Sequence, residues 1–215
     1  MTKTIKTWDL STRLFHWGLA LTFSLSWLSA ELGGNWMIWH TYFGFTTAGL
    51  LTFRIIWGVI GSETARFSQF LASPFVVLRY LKGQDTKEYL THNPAGGWSV
   101  VAMLSLLSLQ VTTGLFSTDD IFIEGPFAYL LSYDAQLAAT EIHEISFTLC
   151  MLLIITHLMA VFWYQKVRKQ PLIQAMIHGK RQSKNGEEPE LKGGWALAFA
   201  ISAGVLVGAS LYLMP

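Results

Sequence analysis

The 215-residue chain is 52% hydrophobic and only 13% charged, with a formal net charge of +1 and a mean hydropathy of +0.38. Ordinary soluble domains carry about 25% charged residues, so this balance excludes a soluble globular protein and indicates an integral membrane protein with no nucleic-acid partner. The lone cysteine, Cys150, rules out an intrachain disulfide framework.

Residues 14–30, 40–60, 95–116, 142–163 and 195–213 are apolar stretches near the length of about 20 helical residues that a hydrocarbon core requires. The basic start before the first span has the look of a secretory signal. The length of the run, the lack of a small-x-small cleavage site and the presence of His16 favour a retained span. The second span opens at His40 and holds Arg54 near its end. Ser73-Pro74 then opens PFVVLRYLKG, a short helix at the inner surface with Pro at its first position, and Asn93-Pro94 starts the third span in the same way. The fourth span holds His143, Cys150 and His157. After it, PLIQAMIHGKR sets Leu172, Ile173, Met176 and Ile177 on one face beside basic residues, as an interfacial helix does.

SKNGEEPELKGG is the one flexible linker, and no internal repeat is visible. Residues 1–182 therefore read as one transmembrane domain, and 183–215 as a linker and fifth helix. That helix spaces Ala196, Ala200, Gly204 and Gly208 at four-residue intervals, a stripe that permits close packing. A homodimer, this chain's own helices and a partner subunit are all compatible with it.

Lys and Arg near span ends stay cytoplasmic. Lys3, Lys6 and Arg13 precede the first span, Arg66, Arg79, Lys82 and Lys87 follow the second, and the last seven fall between Lys166 and Lys192. The opposite side carries Glu31, Asp119, Asp120, Glu124, Asp134, Glu141 and Glu144. The expected orientation is an amino terminus inside and, with five spans, a carboxyl terminus outside.

His143 and His157 are fourteen residues apart. In an α-helix that is roughly 21 Å and about 1400°, close to four full turns, so the two project from nearly one face at opposite membrane depths. Ionisable groups inside a membrane are costly and usually functional, and neutral imidazole is a good iron ligand. His16 begins the first span level with His157, while His40 begins the second level with His143. The expected pairs are His16 with His157 for an inner haem and His40 with His143 for an outer one. Two imidazoles per level leave a zinc site short of ligands. With no C-x-x-C-H to attach haem covalently, the haems should be noncovalent and b-type.

Arg54 lies fourteen residues after His40, and Gly58 fourteen after Gly44. Arg54 suits an inner-haem propionate or a snorkel towards the cytoplasm. The two glycines would let a porphyrin approach the backbone at each level. Arg13 beside His16 either pairs with an inner propionate or anchors the span. His92, Glu144 and His178 read as surface or helix-end residues and are assigned no role, and no catalytic residue is assigned.

WDLSTRLFHW, FRIIWGVIGSETARFSQF, THNPAGG and HEISFTLCMLLIITHL together resemble the prokaryotic cytochrome b561 family, which includes b-type subunits of nickel-iron hydrogenases. The resemblance covers about residues 6–180. It implies a four-helix bundle holding two b haems on His16, His40, His143 and His157, here with an added fifth helix. It also implies electron transfer between a periplasmic partner, such as a cytochrome c or a hydrogenase subunit, and the quinone pool or another acceptor. A superoxide or other small-reductant:quinone oxidoreductase is the enzymatic alternative. The external loops lack Lys and Arg, which weighs against attraction of an anionic substrate. A histidine-based proton or metal transporter would lack haem absorbance.

Overall fold

The computed structural model describes residues 3–85, 87, 89–120, 123–183, 188–192, 198–199 and 202–203, and these are mostly helical. In chain order they form β1 (Lys3–Lys6), α1 (Leu10–Leu32), α2 (Trp36–Ile60), α3 (Phe67–Phe70), α4 (Pro74–Leu81), α5 (Pro94–Phe116), α6 (Tyr133–Lys166), α7 (Leu172–His178) and β2 (Lys180–Ser183). Single 3-10 turns occupy Glu63–Ala65 and Ala128–Leu130.

Three described helices, Trp36–Ile60, Pro94–Gly114 and Tyr133–Lys166, are long and apolar enough to cross a membrane. α6 is the most apolar of the three, yet most of its apolar residues are not buried within the chain, a combination that water would not tolerate and lipid does. The first expected span forms as α1, 23 residues long, but His16, Glu31 and a series of serines keep it below the apolarity of the other three. The fifth expected span and its small-residue stripe at 196, 200, 204 and 208 lie outside the described residues, apart from helical positions 198–199 and 202–203.

The chain divides into two compact units, and each long helix contributes to both. The first comprises Met1–Phe15, Arg54–Ala102 and Ile154–Ala198. Here β1 and β2 form an antiparallel pair, from Lys3 opposite Ser183 to Lys6 opposite Lys180. Asp9 starts α1 as its cap: one carboxylate oxygen accepts from the Thr12 backbone N–H at 2.9 Å and the other from the Thr12 hydroxyl at 2.7 Å. α1 thus begins four residues before the apolar run does. Asn93 caps α5 through Gly96 N–H at 2.8 Å, with Pro94 at the first helical position. α7 ends at Gly179, whose φ of 75° is the left-handed value glycine adopts without strain. The buried centre includes Ile5, Trp57, Ala65 and Arg54.

The second unit comprises His16–Phe53, Met103–Leu153 and Phe199–Pro215. Gly33 and Gly34, both at positive φ, turn α1 into α2. The loop after α5 is tied to α6 by Thr140, whose hydroxyl accepts from Thr118 N–H at 3.0 Å and donates to the Thr118 carbonyl at 2.9 Å. α6 is 34 residues long, about 51 Å at 1.5 Å per residue, so it outruns a hydrocarbon core of about 30 Å.

Candidate functional site

His40 and His143 face one another in the second unit. Their ring centres are 6.2 Å apart and their planes are 77° apart. His40 Nδ1 lies 2.9 Å from the Ser26 carbonyl oxygen and 3.2 Å from its hydroxyl. His143 Nδ1 lies 2.9 Å from the Gln110 carbonyl oxygen, with the Thr113 hydroxyl at 3.4 Å. A carbonyl can only accept, so Nδ1 carries the proton in both rings and Nε2 carries the lone pair, the arrangement in which an imidazole binds metal.

The spacing fits an iron held between the two rings. Two metal–imidazole bonds of about 2.0 Å, each extended by about 1.1 Å from nitrogen to ring centre, span about 6 Å. A Cβ at Gly44, one turn beyond His40, would meet no heavy atom within 4 Å.

α5 supplies no histidine, yet it shapes this pair. A Cβ at Gly114 would come within 2.8 Å of His143 Cε1, so only glycine leaves the ring in place without a shift. The Gln110 side chain donates its amide to His143 Nε2 at 2.9 Å and accepts a short hydrogen bond from the buried Ser146 hydroxyl. A metal held at Nε2 would use the lone pair that this amide occupies, so the two are alternatives. Ser26, Gln110, Thr113, Gly114 and Ser146 all escaped the sequence reading. Gln110 and Thr113, as polar residues inside an apolar span, were the available signal.

In the first unit Arg54 is 3% exposed and lies 4.8 Å above the Phe67 ring centre, with Asp9 near enough to attract it. Its Nη1 is buried without a hydrogen-bond partner among the described residues, an orphaned donor that suits a carboxylate such as a propionate. The Phe67 ring fills the place of the missing Gly58 side chain, where a Cβ would sit 2.1 Å from Cε2. Gly58 therefore admits Phe67, and Phe67 lies under Arg54. Arg13 is turned to the end of α7, where Nη1 donates to the Ile177 carbonyl, and this favours its anchoring role.

His92, read from sequence as a solvated loop residue, packs between Trp8 at 5.0 Å and Phe70 at 4.4 Å, ring centre to ring centre. Burial, reinforced by the Arg54 charge and by His157, pushes it down to about 3, so it is neutral at physiological pH. His16 stands edge-on to Trp17 at 4.9 Å in the second unit, while His157 belongs to the first, so their pairing remains a reading of the sequence.

Apolar helices with two Nδ1-anchored imidazoles set edge-on to one another inside them define a membrane protein with paired histidines in its interior. The chain belongs to the prokaryotic cytochrome b561 family, whose model matches residues 7–179. It is accordingly a haem b-binding membrane cytochrome of electron transfer. Comparison with curated proteins gives no match.

Proposed function

We propose that this cytochrome holds two b haems, an outer one on His40 and His143 and an inner one on His16 and His157, within a bundle formed by α1, α2, α5 and α6. It relays electrons across the bacterial inner membrane between a periplasmic partner, a cytochrome c or a hydrogenase-type subunit, and the quinone pool or another acceptor. The observation that supports this best is the His40–His143 pair, with ring centres 6.2 Å apart and each Nδ1 bonded to a carbonyl.

Each haem supplies a one-electron couple, and this chain's residues orient it and balance its charge. The Ser26 and Gln110 carbonyls hold the imidazole planes and increase ligand basicity. Arg54, buried and with a spare donor, is the group to offset an inner propionate. Gly44 leaves α2 open to a macrocycle beside His40. The amino terminus lies in the cytoplasm and the carboxyl terminus in the periplasm, where the acidic outer loops steer a basic partner.

The test is electron exchange in vesicles. A quinol analogue should reduce the haems, and externally added ferricytochrome c should reoxidise them with a rate that falls as salt rises. Haems inert to both reagents would exclude a relay between quinol and cytochrome c.

A further inference from the structure

β1, the start of α1 and the segment following α7 enclose an open pocket of about 360 Å³ in the first unit. Its lining includes Lys6, Arg13, Lys180 and Lys192 against one carboxylate, Asp9. Both Asp9 oxygens are engaged by Thr12, at 2.9 and 2.7 Å, in capping α1.

Two further features set these cations apart from an ordinary basic surface. The strand register puts Lys6 directly opposite Lys180. Opposed residues of an antiparallel pair project from the same face, where like charges repel. Arg13 spends one Nη on the Ile177 carbonyl, while its buried Nε has no hydrogen-bond partner among the described residues. Neighbouring Arg181 makes the contrast. Its guanidinium is engaged by the carbonyls of Tyr89 and Leu90 and by the Gln170 side chain, so it is a structural cation. The repelling lysine pair and the cationic excess of the lining both call for an anion at one place.

We propose that this pocket binds a phosphate-bearing anion, with an anionic phospholipid head group as the membrane source and free phosphate as the soluble one. Lys6 and Lys180 bracket the phosphate, and Arg13 and Lys192 add positive charge to the same pocket wall. The anion converts the cross-strand repulsion into a bridge that clamps β1 to β2. The site is independent of the haems.

Thermal unfolding of the full chain in phosphatidylcholine vesicles, with either phosphatidylglycerol or inorganic phosphate added, tests this. Wild type should unfold at a higher temperature with phosphatidylglycerol, and the Lys6→Gln/Lys180→Gln variant should lose that gain. Without either probe the variant should be at least as stable as wild type, since it no longer repels itself. A gain from inorganic phosphate alone, also lost in the variant, would support the site with free phosphate as its ligand. Equal gains in both proteins, or none from either probe, would overturn it. Native mass spectrometry of wild type reads the site without any variant: one retained phosphatidylglycerol or phosphate supports it, and retention of neither contradicts it.

Discussion

Gly114 on α5 lies against the imidazole of His143 on α6, with a Cβ at Gly114 coming 2.8 Å from Cε1. Gly114→Ala should displace His143 from its bond to the Gln110 carbonyl. The expected result is selective loss of one haem, read as a halved haem-to-protein ratio in the folded protein. A full complement with unaltered spectra would show that the ring adapts.

Gln110→Ala separates two roles of one residue. The backbone carbonyl that anchors His143 Nδ1 survives, while the amide on Nε2 and the acceptor for Ser146 are removed. Haem content should therefore hold. The haem-depleted protein should lose about 1–3 kcal/mol, the usual cost of stranding buried polar groups, as measured by denaturant unfolding.

Gly58→Ala drives a methyl into the Phe67 ring, and the overpacking should cost about 1–3 kcal/mol. Adding Phe67→Leu should recover part of it, because residues in contact couple. Purely additive losses would mean that Phe67 does not rest on Gly58.

His92 makes stability depend on pH with a defined sign. Its folded value of about 3 lies below the ordinary 6.5, so below that value the unfolded chain binds a proton that the folded chain refuses. Its contribution is complete above pH 6.5 and declines as pH falls towards 3. His92→Phe should flatten this part of the profile, measured as unfolding midpoints between about pH 7 and pH 4. An unchanged slope would put the dependence elsewhere.

The order of the spans made His40 and His143 legible as neighbours, since it sets both at the same membrane depth in apolar runs that leave little alternative to α-helix. Boundaries were less legible. α2 begins at Trp36 because Gly33 and Gly34 complete the turn there. α6 begins at Tyr133 rather than at residue 142 because YDAQLAATE is polar yet helical, outside the reach of an apolarity criterion. The contacts of Gln110 and Gly114 with His143 join helices distant in sequence, and that of Gly58 with Phe67 forms across the irregular turn between α2 and α3, so no helical periodicity announces them. His92 was misread for the same reason: Trp8 and Phe70, which bury it, belong to other segments.

The central claim is two haems on two histidine pairs, and pyridine haemochrome quantitation of wild type beside the four single His→Ala variants addresses it most directly. Two haems b are predicted per wild-type chain. His40→Ala and His143→Ala should leave the same remaining haem spectrum, and His16→Ala and His157→Ala the other. A single haem in wild type, or His40→Ala matching His157→Ala rather than His143→Ala, would contradict the pairing.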